Sequence, residues 1–100
     1  AIHFRIEEEV LLPGSGLAGP GQDEEVARML DDHLEIRRAA ARIEAGEAGP
    51  DELVEVAERL TAHVRFEERE LFPRVERELS SEQLRELATA IEAAEQAAET

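Results

Sequence analysis

Three histidines, at positions 3, 33 and 63, are the residues with the clearest chemistry in this 100-residue chain. His3 and His63 each head a copy of one motif. His3-Phe4-Arg5-Ile6-Glu7-Glu8-Glu9-Val10-Leu11-Leu12-Pro13 and His63-Val64-Arg65-Phe66-Glu67-Glu68-Arg69-Glu70-Leu71-Phe72-Pro73 both read H-x-R-x-E-E-x-x-L-[L/F]-P. In each copy a Glu follows the His by four residues, Glu7 after His3 and Glu67 after His63. On a helix that spacing stacks the two side chains on one face with Cβ atoms roughly 5–6 Å apart, so an imidazole nitrogen and a carboxylate oxygen converge on one centre. A carboxylate buried alone on that face would suffer desolvation on the order of several kcal/mol. A cation removes the difficulty, because carboxylate and neutral imidazole are both good ligands for Fe, Mn or Zn. His33 lies midway between the copies, on the apolar face of the segment preceding the second one, and completes the pattern. The expected chemistry is metal ligation by His3, Glu7, His33, His63 and Glu67.

Competing chemistries lack their residues. There is no Cys, hence no disulfide framework, thiolate site or cysteine nucleophile. The few serines fall in loops, which leaves acyl transfer unsupported. Ferritin-like sites place Glu three residues before His, where this chain has Leu30 and Leu60. Gly14-Ser15-Gly16-Leu17-Ala18-Gly19 matches G-x-G-x-x-G, but it follows a helical pattern and is flanked by Pro13 and Pro20, so it reads as a loop. The net charge of −14 repels phosphate and excludes nucleic acid and anionic membrane surfaces as partners. No apolar run approaches the roughly 18 residues of a membrane span, and a cytoplasmic location is the default.

The elements that must carry these residues are helices, since Ala, Glu, Leu and Arg dominate. The pattern predicts segments at 1–12, 23–46, 51–78 and 81–98. Asp23, Glu24 and Glu25 suit the positive end of the second, which stops near Gly46; the third starts after Gly49-Pro50, and the fourth after Ser80 with Gln83 as in a capping box. The apolar stripe of the second segment runs Val26, Met29/Leu30, His33, Ile36, Ala40, Ile43. That of the third runs Leu53, Val56/Ala57, Leu60, His63/Val64, Glu67, Leu71, Val75. Pro13 is expected to mark a helix end and Pro73 to kink or interrupt its helix. Glu8, Glu9, Glu70 and the acidic residues after position 81 read as solvated face, and Phe66, Phe72, Leu71 and Leu11 as core. Such helices pack as an antiparallel bundle with any metal site among inward side chains.

These residues resemble the hemerythrin-like family of HHE cation-binding domains, the two H-x-R-x-E-E-x-x-L-[L/F]-P segments being the most specific part. The resemblance implies a single domain over 1–100, an all-α, antiparallel up-and-down four-helix bundle with an extra C-terminal helix. It also implies two non-haem iron ions held by histidines and bridged by two carboxylates. Carried over residue by residue, His3 and Glu7 match the second-helix ligands, His33 the third-helix ligand, and His63 and Glu67 the fourth-helix ligands. Glu7 and Glu67 would then be the bridges, with His33 and His63 serving one iron and His3 the other. Repeat logic calls for a further His-bearing helix about thirty residues before His3, so the chain is expected to lack the first helix of its bundle. On that expectation the site is labile or half-occupied unless a second chain, in a homo-oligomer, supplies the helix.

Oxygen-carrying hemerythrins have a second His four residues after the third-helix ligand and an Asp five residues after the fourth-helix His; here those places hold Arg37 and Glu68. Glu68 competes with Glu67 for the metal, and the match of Glu7 in the first copy favours Glu67. The resemblance implies a diiron protein that binds or senses a small diatomic ligand, oxygen or nitric oxide, or handles iron, with peroxide or nitric oxide chemistry also open. The alternative is a metal-free acidic helical interaction domain.

Overall fold

The computed structural model describes residues 2–99. Helix α1 comprises Ile2–Ile6, a π-helical turn at Glu7–Leu11, and Leu12–Ser15. Helix α2 is Glu24–Glu44. Helix α3 comprises Pro50–Phe66, a second π-helical turn at Glu67–Leu71, and Phe72–Glu78, and α4 is Ser81–Glu99. The described residues form helices joined by short connections, with no strand, in keeping with the composition. None of their helices is long and apolar enough to cross a membrane.

The two π turns have one cause. Each is followed after one residue by a proline, Pro13 or Pro73, which has no N–H and whose ring would collide with the carbonyl four residues back. The backbone answers by closing a turn over five residues: Leu12 N–H donates to Glu7 O, and Phe72 N–H to Glu67 O. Pro13 therefore does not end α1, which continues to Ser15, and Pro73 widens α3 without interrupting it. The wide turn also explains the burial pattern. His63, Glu67, Leu71 and Val75 are all buried although spaced by four, a spacing that drifts by about 40° per step in a regular α-helix. One five-residue turn takes up most of that drift and keeps the four side chains on one face.

Helix ends follow the local signals. The side chain of Asp23 caps α2, accepting from Glu25 N–H at 3.0 Å and Val26 N–H at 3.2 Å. Ser80 and Gln83 form the expected reciprocal box, at 2.8 and 3.1 Å. Gly16, from the apparent nucleotide fingerprint, is the left-handed cap of α1 at φ 77°. Gly14 lies inside α1, where a Cβ would come 2.7 Å from Leu87 Cδ1, so the missing side chain lets α4 settle on α1.

Asp23 also receives Arg74 from α3 at 2.9 and 2.6 Å. That pairing, reinforced by the cap bonds, holds its carboxyl below the usual range. Asp23→Ala should cost roughly 0.5–2 kcal/mol, as for other lost caps. Because the folded pKa is depressed, the charged pair's share is present in full above pH ~4 and disappears as the pH falls through the folded value. Urea midpoints of variant and wild type should differ at pH 7 and converge toward strong acid; a pH-independent difference would show that the charge is irrelevant.

Two apolar clusters flank the inter-helix space: Met29, Phe66 and Leu71, with Leu12, Leu17 and Phe72 against them, and Leu11, Val75 and Leu87, with Val10, Leu79 and Ile91. The predicted stripes are buried only in part. Val26, Met29, His33 and Ile36 are covered, but Ile43, Leu53, Leu60 and Val64 remain exposed.

Candidate metal centre

Four ionisable side chains meet where α1, α2 and α3 converge. Glu7 comes from the start of the first π turn, His33 from the middle of α2, and His63 and Glu67 from the last α-turn and first π residue of α3. All four are buried, and one potential ligand atom from each lies within 4.8 Å of the others. His33 Nε2 is 3.1 Å from His63 Nε2, 2.9 Å from Glu7 Oε1 and 4.0 Å from Glu67 Oε2. His63 Nε2 is 3.3 Å from Glu67 Oε1. Both oxygens of Glu7 and Oε2 of Glu67 are buried without a hydrogen-bond partner among the described residues. Buried, unsatisfied carboxylate oxygens are costly in a dry interior; aimed with two imidazole nitrogens at one point, they have the character of a cation site.

The far side of each imidazole is held as well. Glu8 Oε2 lies 2.6 Å from His33 Nδ1, and Asp32 Oδ2 lies 3.0 Å from His63 Nδ1. Glu8 is in turn gripped by Arg37 Nη1 at 3.1 and 2.8 Å. Against its partial burial, the bonds from His33 and Arg37 keep Glu8 below the usual carboxylate range, so it stays ionised. Phe4 stacks on the His33 ring at 3.9 Å and 7°, and meets His63 edge-on at 5.6 Å, closing the pocket on that side.

The electrostatics show the strain of gathering these groups. Burial pushes Glu7 above the ordinary carboxylate range. Its neighbour Glu67, although burial works the other way, is drawn below it by His63 and Glu7. His63, again against its burial, is held above the ordinary imidazole value by Glu67 and Asp32.

A family model for the hemerythrin HHE cation binding domain matches residues 1–75. The chain belongs to this family. No curated protein and no solved structure matches the chain at a significant level. The match spans both copies of the motif and His33, while α4 lies beyond it.

Of the five residues singled out from sequence, Glu7, His33, His63 and Glu67 come together. His3 stands at the rim, 76% exposed, with Nε2 3.2 Å from Glu7 Oε2. Glu68 points to solvent, which leaves Glu67 as the α3 carboxylate of the cluster. Glu8 is not solvated face: its side chain is 23% exposed and occupied by His33 and Arg37. The expectation failed because Glu8 sits next to Glu7, about 100° round the helix, and only the approach of α2 fills that direction. Asp32 was likewise overlooked, since its one mark in the sequence is being next to His33.

Proposed function

We propose that this hemerythrin-type domain is a non-haem iron protein that binds two iron ions and, through them, a small diatomic ligand or iron itself. The observation that carries the reading is the set of three buried carboxylate oxygens, without a partner among the described residues, converging with the Nε2 atoms of His33 and His63. His33, His63 and one oxygen from each of Glu7 and Glu67 would hold the inner ion. His3 would contribute to the outer one. Glu7 is suited to bridging, because Oε1 faces His33 at 2.9 Å and Oε2 faces His3 at 3.2 Å.

The donor set of two imidazoles and two carboxylates suits iron or manganese as well as zinc, and the resemblance of the motif to diiron domains favours iron. Bound iron supplies one-electron redox chemistry and an open position for a diatomic molecule such as oxygen or nitric oxide. The chain's own part is to keep the pocket dry through Phe4, Phe66 and Leu71, and to neutralise the metal with Glu7 and Glu67.

Anaerobic titration with Fe(II) followed by elemental analysis should give about two irons per chain, with near-ultraviolet charge-transfer absorption after oxidation. No iron retained after both aerobic and anaerobic loading would sink the proposal and favour the metal-free interaction domain.

A further inference from the structure

We infer that Glu8 and Asp32 are positioning residues that set the tautomers of His33 and His63, each acting on one histidine only. This rests on the metal reading of the site. An ionised carboxylate can only accept, so a carboxylate 2.6 Å from His33 Nδ1 and another 3.0 Å from His63 Nδ1 each hold a proton on Nδ1 and leave Nε2 as the atom each ring turns to the cluster. In the neutral rings Nε2 is then the ligating atom, and the two Nε2 atoms meet at 3.1 Å inside the cluster, beside Glu7 Oε1 at 2.9 Å from the first and Glu67 Oε1 at 3.3 Å from the second. In free histidine the other tautomer, with the proton on Nε2, is available; here it would leave the 2.6 Å Glu8 contact without its hydrogen and aim N–H groups into the pocket.

The two braces run through α2 in opposite directions. His33 receives its carboxylate from α1, and the residue before it, Asp32, sends one to α3. Each carboxylate has its own guanidinium. Arg37 grips Glu8 at 2.8 Å, one turn on from His33, and also lies 5.7 Å from the Phe4 ring that stacks on His33. Arg28 approaches Asp32 at 3.9 Å and lies 4.2 Å over the Phe66 ring. The Glu8 brace is therefore the tighter one. Because the braces share no atom, their effects on the two rings are separable, as a diffuse structural role would not be. Carboxylates behind metal-ligating histidines typically change affinity by about 10–100-fold when removed.

The experiment compares Glu8→Ala, Asp32→Ala and the isosteric Glu8→Gln and Asp32→Asn with wild type. Long-range ¹H–¹⁵N imidazole spectra of the metal-free proteins at pH 8 report each ring's tautomer, and Fe(II) or Mn(II) titration reports affinity. Wild type should show Nδ1–H on both rings. Asp32→Ala should move only His63 toward the Nε2–H form, and Glu8→Ala only His33, with affinity falling about 10–100-fold; the isosteres, still able to accept, should fall between. Nε2–H on both wild-type rings overturns the inference, as does a response spread over both rings or affinities within threefold of wild type in folded variants. If wild type binds neither metal, the metal reading fails, and the ring-by-ring spectra still decide the role of the braces.

Discussion

Replacing His33 with Ala is expected to abolish tight binding of the first metal ion, while His3→Ala leaves it in place and weakens only the second. His33 is fully buried, and its Nε2 lies within 3.1 Å of both Glu7 and His63. His3 is 76% exposed and reaches one oxygen of Glu7. Removing a direct ligand should exceed the roughly 10–100-fold typical of outer-shell partners, so a loss of at least about 100-fold is expected for His33→Ala. His3→Ala should hold the first equivalent to within about threefold. Competition between the protein and a chelator of known affinity, one equivalent of metal at a time, measures both. His33→Gln, with far-ultraviolet circular dichroism as the fold check, guards against misreading an unfolded variant. Equal losses from the two substitutions would refute the inner-and-outer description of the site.

Metal should also stabilise the fold by a large margin. Glu7 and Glu67 are buried with unpartnered oxygens, so the metal-free domain carries their desolvation, offset in part by the nearby imidazoles. Binding to the folded chain alone adds about 2.7 kcal/mol at a metal concentration one hundred times Kd. For 100 residues that corresponds to a rise in Tm of roughly 10–20 °C. The sign of the pH effect follows from Glu7. A buried carboxyl with a raised pKa favours the folded state while it is protonated, and that advantage is lost as the pH climbs from its unfolded value through the raised one. The metal-free protein should therefore lose Glu7-linked stability across that window, and the Tm gain from metal should grow with pH there. Scanning calorimetry at several pH values, with and without Fe(II) under nitrogen, tests this. A Glu67→Gln variant that keeps the full metal-induced rise would contradict the assignment of that carboxylate.

Much of this was readable from residue spacing because it is local. A His and a Glu four apart on a helix must share a face whatever the helix packs against, so the pairs His3/Glu7 and His63/Glu67 follow from sequence alone. The caps are local too: Asp23 and the Ser80/Gln83 box satisfy amides within a few residues of themselves. The prolines were read correctly as perturbations but not in their effect. A missing amide can end a helix or widen it, and at Pro13 and Pro73 the backbone widens.

The sequence by itself determined the helical class, the repeated His/Glu motif and the donors offered to a cation. The repeat already favoured Glu67 over Glu68, and Glu67 is the one that enters the cluster. Only the tertiary structure decided that Glu8 turns to His33 while Glu9 does not. It also decided that His33 and His63 are buried with their Nε2 atoms 3.1 Å apart and that His3 is left at the rim. The physical reason is that spacing along one helix fixes angles about that helix's own axis. Which angle meets a neighbour depends on how α1, α2 and α3 are rotated and how far each extends, and that is settled by the packing of Met29, Phe66 and Leu71.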